Sequence, residues 1–154
     1  MATPHDRLRD LGLTLPSVPR PQGAYRAVRV HGGLAYVAGQ VSRTEDGIIT
    51  GPVDDATDPD RIEAAARACT LRALAALEDA VGLDHVTGIL FLRGFVFAGP
   101  AFQGHTQVLD HVSRLLIAIF GDHGQHARSA VGVAGLPSGG MLEIEVVAVV
   151  DAAV

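Results

Sequence analysis

An α+β fold, with two helices laid over one face of a mixed sheet, is what the order of this sequence predicts, and three observations carry it. Short apolar runs with β-branched content, bounded by turn residues, occur towards both ends of the chain. Between them lie two segments with helical periodicity, separated by one nearly continuous apolar run. The resulting order is β-β-(β)-α-β-α-β-β, the pattern of helices packed on one side of a sheet.

At 154 residues, with 48% hydrophobic and only 5% aromatic content, the chain forms one domain, 1–154, with a core of Ala, Val, Leu and Ile. Residues 1–22 are an N-terminal extension. It holds a short helical piece, Pro4 to Leu11, then the connector LPSVPRPQ, where Pro16, Pro19 and Pro21 forbid a central strand and predict an extended surface segment. Ala24–Val30 and Leu34–Val41 are predicted as a β-hairpin about His31-Gly32-Gly33, and Gly39 inside the second strand marks a bulge or a close backbone approach. Ile48–Thr50 is a possible short strand, followed by the acidic loop Gly51 to Asp58.

The first long helix begins at Asp58-Pro59-Asp60, with a capping Asp, Pro in the first turn and acids where the helix dipole favours them. Ile62, Ala66, Cys69, Ala73, Ala76, Leu77 and Ala80 form its inward stripe, and Gly82 ends it. Leu71 lies off that stripe and suggests a contact with another subunit. Val86–Ala98 is predicted as a strand covered on both faces, with Arg93-Gly94 as a break or bulge. A second helix is expected over Ala101–Phe120, with Val108, Val112, Leu115, Leu116 and Ile119 inward and Gly121 as its stop. The chain closes with two strands joined through Gly135–Gly140 into a hairpin. Arg128, Ala130 and Gly132 share one face of the first. In the second, Leu142, Ile144, Val146 and Ala148 oppose Glu143, Glu145, Val147 and Val149. Two helices cover one sheet face only, so apolar positions such as Val131 and Val147 imply oligomerisation.

The net charge of −5 and pI of about 5.7 argue against nucleic-acid binding by bulk electrostatics. One cysteine, Cys69, allows neither an intramolecular disulfide nor a cysteine metal site, and its place in a helical pattern marks a buried thiol. The N-terminus lacks a secretory pattern and no apolar run approaches the ~20 residues of a membrane span, so a cytoplasmic protein is expected. Seven histidines show no metal-ligand spacing, and His105 and His111 do not share a helix face, so no metal is expected. The Gly-rich segments lack phosphate-loop and dinucleotide spacings, and Ser138 does not sit in a nucleophile elbow. Asp54, Asp55, Asp58 and Asp60 read as a solvated loop with a helix cap.

Arg128, Glu143 and Tyr25 remain. A structural ion pair is one account of an Arg and a Glu at the ends of small, apolar strands. The other is a site for an anionic small molecule, in which the planar Arg fork grips a carboxylate and Glu143, across the hairpin, positions and activates water.

Taken in order, Gly23-Ala24-Tyr25, Leu34-Ala35-Tyr36-Val37-Ala38-Gly39-Gln40 and Ala127-Arg128-Ser129 … Leu136-Pro137 … Glu143-Ile144-Glu145 resemble the RidA (YjgF) family, also labelled endoribonuclease L-PSP. The resemblance runs from Leu11 through Val150 and is nearest to a subgroup with LGLTLP at the start and HARSAVGVAxLP near the end. It implies a chorismate-mutase-like α+β fold. It also implies a homotrimer whose sheets form a central barrel with sites in the clefts between subunits. The implied chemistry is cofactor-free hydrolysis of reactive enamines and imines such as 2-aminoacrylate to a 2-keto acid and ammonia. By motif, Arg128 would grip a small carboxylate-bearing substrate, Glu143 would orient the attacking water, Tyr25 and Gly39 would line the pocket, and the backbone at Ala130 would help hold the ligand. The chain departs from the family at three positions: Ala130 stands where many deaminating members have Cys, Ala38 where Ser is usual, and Asp110 is the nearest match for an Asn on the second helix. Two other functions fit the resemblance: non-catalytic binding of small carboxylates such as 2-keto acids, and the endoribonuclease or translation-inhibitor role of the older label.

Overall fold

The computed structural model describes residues 2–151. Helix α1 (Pro4–Asp10) is followed by strands β1 (Val28–His31), β2 (Leu34–Val41), β3 (Arg43–Thr44) and β4 (Gly47–Ile48), then helix α2 (Pro59–Val81). Strand β5 (Val86–Phe97), helix α3 (His105–Phe120), and strands β6 (Ala127–Val133) and β7 (Leu142–Val150) complete the chain. Five strands form one sheet in the order β1-β2-β7-β5-β6, and β3 and β4 form a small separate ribbon. Only β5 and β6 run parallel. The α+β architecture with two helices on one face is therefore as expected, and α2 and α3 pack on each other and on the sheet.

Helix α1 is fixed by a capping box, Thr3 receiving the Asp6 amide while the Asp6 carboxylate receives the Thr3 amide. Asp58 caps α2 through the Asp60 amide at 3.0 Å, and Gly82, at φ 78°, closes it. Because the inner stripe of α2 is mostly Ala, the helix lies close to the sheet, and the Cys69 thiol reaches the Leu142 carbonyl at 3.4 Å. Burial pushes that thiol's pKa far up, which leaves it an inert core group. Ala35, Val37, Leu92, Val96, Leu142, Ile144, Val146 and Ala148 form the sheet side of the core beneath the helices.

Four expectations are corrected. The last two strands do not form a hairpin: β5 lies between them, pairing in parallel with β6 and antiparallel with β7. Arg93-Gly94 does not break β5. Its irregularities fall at Val86/Gly88 and Ile89/Phe91, and Gly94 is small because a Cβ there would overlap the Leu109 side chain of α3. Helix α3 starts at His105 rather than Ala101, because Gly104 caps it without a side chain and the Phe102 ring folds back over that glycine. Strand β1 starts at Val28 rather than Ala24.

Among the described residues, no helix covers the second face of the sheet. Register places Tyr36, Val147 and Phe91 on it, with Phe95 farther along β5 and Val131 beside it on β6. Tyr36 and Val131 are exposed. Arg93 and Glu145 bridge it at 2.7 Å.

Candidate functional site

The predicted site residues fall into two groups at opposite edges of the sheet. Strand β1 pairs with β2 only as far as Val28–Val37, so Gly39–Val41 has β7 on one side and, among the described residues, no strand on the other. A bulge between Val37 and Gln40 brings Gly39 against Glu143, and a Cβ on Gly39 would overlap the Glu143 carboxyl. Both alternatives expected of this glycine, a bulge and a close approach, are therefore present together. A cavity of about 250 Å³ opens here, lined by Tyr25, Gly39 and Glu143 together with Gln40, Arg43 and Arg72. Its outer wall is the Pro-rich connector, Pro19 to Gln22, so that segment does more than lie on the surface: Pro19 is buried. Burial, and then the charge of Glu145, raise the pKa of Glu143 above the usual carboxylate range.

Arg128, Ala130 and Asp110 lie elsewhere. Arg128 stands opposite Leu92 and Ala130 opposite Gly94, which puts both on the helix-covered side of edge strand β6, whereas Glu143, opposite Phe95, belongs to the uncovered side. Arg128 Nη1 donates to Asp110 Oδ1 at 2.9 Å and to Ser113 Oγ at 3.0 Å. Asp110 and Ser113 are three residues apart and so share a face of α3. His126 continues this network, with Nδ1 2.6 Å from the Gly124 carbonyl and Nε2 3.0 Å from Ser113 Oγ. A carbonyl only accepts, so Nδ1 carries the proton and Nε2 of the neutral ring accepts the Ser113 hydroxyl. Burial lowers the pKa of His126 in keeping with that neutral form. Asp110 therefore holds Arg128 in place. Within one chain Arg128 and Glu143 do not meet, and the ion pair that Arg128 makes is with Asp110 instead.

Sequence reasoning missed Arg43, Arg72 and Ser113. Arg72 had a legible signal: it lies one helical turn beyond Cys69, at the border of the Ala stripe. Among the described residues no group of three or more His, Cys, Asp or Glu is placed to hold a metal, and no helix is long and apolar enough to cross a membrane.

The family model Endoribonuclease L-PSP matches residues 16–150. Protein TCP17 of Trypanosoma cruzi is 35% identical over 141 residues, 90% of this chain and 88% of that protein. Among solved structures, protein Atu1372 of Agrobacterium tumefaciens, described as of unknown function, superposes with a TM-score of 0.87 at 32% identity, over 96% of this chain and 92% of that one. A Shewanella oneidensis protein named as a candidate endoribonuclease gives a TM-score of 0.90 at 29% identity, over 96% and 99% of the two chains. With the strand order, the helix placement and the three sequence motifs already described, these matches make the chain a member of the endoribonuclease L-PSP family, the RidA/YjgF family that its motifs resemble.

Proposed function

We propose that the protein is a hydrolytic deaminase of reactive imines and enamines, acting without a cofactor on substrates of the 2-aminoacrylate type. An enamine of this type tautomerises to the 2-imine. Water then adds to the C=N carbon, and the resulting carbinolamine expels ammonia to leave the 2-keto acid, so one water is consumed and one ammonia released. The observation that carries this reading is the Glu143 carboxyl, seated over Gly39 at a cavity also lined by Tyr25. Its raised pKa suits a group that takes a proton from water and returns it to a departing amine.

The same reading places the completed site between copies of the chain. Arg128 and Glu143 lie on different surfaces, and a heterologous contact that joins them gives a ring where its rotation closes. The homotrimer implied by the resemblance is such a ring, and the uncovered sheet face with Tyr36 and Val131 would be its interior. In that cleft Arg128, with Nη1 held by Asp110 and Ser113 and Nη2 in a long contact of 3.4 Å with the Thr106 carbonyl, presents Nε–H and the second Nη2 hydrogen to a substrate carboxylate.

Ammonia release from freshly generated 2-iminobutyrate tests the reaction. Arg128→Ala and Glu143→Gln are each expected to lose it, and full activity in either variant removes that residue from the chemistry. Co-assembly of the two inactive variants tests the shared site. Random pairing restores about a quarter of the sites in a ring, whereas sites contained within one chain stay inactive.

A further inference from the structure

Two buried side-chain polar atoms lack a hydrogen-bond partner among the described residues, Gln40 Oε1 and Arg72 Nε. Both residues line the cavity that holds Glu143. Gln40 is only 4% exposed, and its amide nitrogen is already committed to the Ala38 carbonyl at 3.2 Å. Arg72 reaches the cavity from α2 and Arg43 from β3, close enough to Arg72 for the two cations to repel. Arg20 enters from the connector. None of these three arginines forms an ion pair among the described residues, and the one side-chain bond among them in the cavity is a long contact from Arg43 to Ser138 Oγ, 3.4 Å. Three arginines and one carboxyl thus line the same cavity.

Buried donors and like charges left in this state are costly unless something answers them. Arg128 contrasts with them, being already bonded to Asp110. A substrate with a single carboxylate, gripped by Arg128, would leave the excess positive charge around Arg72 and Arg43 unanswered.

We propose that Arg72 and Arg43 form a second anion subsite, so that the preferred substrate is a dianion: an imine or enamine of a dicarboxylic amino acid, with its distal carboxylate on these two arginines. The reaction part of this inference rests on the deaminase reading, and the dianion preference rests on the cleft between copies that brings Arg128 to the same substrate; the Arg72–Arg43 anion subsite itself rests on neither. Gln40 Oε1 supplies the acceptor for a substrate N–H or O–H beside the same arginines.

Titration calorimetry on the full-length protein, with 2-oxoglutarate, 2-oxobutyrate and inorganic phosphate as probes, tests the subsite directly. The wild type is expected to bind 2-oxoglutarate about tenfold more tightly than 2-oxobutyrate. Arg43→Met and Arg72→Met should each narrow that ratio by about threefold or more, and Arg72→Lys should retain part of it. If Arg72→Met does not fold, Arg43→Met, on the short outer ribbon, carries the test. Equal affinities in the wild type, or a ratio unmoved in folded Met variants, overturn the proposal. Phosphate binding tighter than 2-oxoglutarate overturns it in favour of a phosphorylated ligand. Kinetics with 2-iminoglutarate and 2-iminobutyrate separate the two readings. Equal turnover of both removes the dianion preference and leaves the deaminase, whereas selective 2-oxoglutarate binding without turnover of either imine removes the deaminase and leaves the subsite.

Discussion

The two edges of the sheet each present arginine, Arg128 at one and Arg43 with Arg72 at the other, and the two differ in how far the chain itself satisfies them. At the β6 edge Arg128 is bonded to Asp110 and Ser113, and Ser113 is held in turn by His126. At the free half of β2, Arg72 and Gln40 keep buried atoms without partners among the described residues, and Glu143 is shifted towards its neutral form. A satisfied network fixes geometry, while an unsatisfied one stores interaction for a ligand. On the proposed deaminase reading, the first edge holds Arg128 in place for a carboxylate, and the second supplies the proton-transfer group and the further anion subsite.

The largest expected effect that would sharpen this division is on turnover. Glu143→Gln should lower kcat for imine hydrolysis about a hundredfold or more, with native size and unfolding cooperativity retained. Gly39→Ala comes next. It drives a methyl into the Glu143 carboxyl and should cost about 1–3 kcal/mol by thermal unfolding, together with most of the activity. If it is neutral in both, the close seat of Glu143 is not required.

The titrations of the two edges should run in opposite senses. The folded-state pKa of Glu143 is raised, so any stability it contributes is present below the usual Glu range and lost as pH rises through its folded value. The stability advantage of Glu143→Gln over wild type should accordingly grow from acid to neutral pH. The folded-state pKa of His126 is lowered from 6.5, so its contribution is present above 6.5 and lost as pH falls through its folded value. The deficit of His126→Asn should therefore shrink on acidification, and melting temperatures across that range check both signs. The smallest effect belongs to Asp110→Asn. The pair is partly exposed, with side-chain exposures of 19% and 36%, so the loss should be about 1 kcal/mol or less. The affinity of 2-oxobutyrate should rise about threefold as Arg128 loses its competing anion, and weaker binding would show that the Asp110 charge is needed to present Arg128.

Much of the fold was legible because its signals are local. Leu34–Val41 is bounded by a Gly-Gly turn, and α2 is announced by Asp58-Pro59 and stopped at Gly82. The failures are non-local. Gly135–Gly140 looks like a hairpin turn, yet the partner of β6 is β5, more than thirty residues upstream, and nothing in either strand's composition states that pairing. Gly94 answers to Leu109 on another element, which no window around Gly94 contains. The site follows the same rule. Each predicted residue type was visible in its motif, but the division into two edges is a property of strand order. Arg43 and Arg72 acquire meaning only when β3 and α2 converge on one cavity.

Along β2, side chains should alternate like a wave of period two, and Gly39 introduces a phase slip into it. Val37 stands opposite Val146 and Gln40 opposite Ile144: two residues an odd number of steps apart face the same side. Uninterrupted alternation would have sent the amide of Gln40 to the uncovered side and turned Val41 inward. The slip does the reverse, putting a polar amide under α2 and an apolar side chain beside Glu143. Removing Gly39 altogether would restore the rhythm and leave Gln40 opposite Ile144, but it would close the gap into which the carboxyl of Glu143 fits.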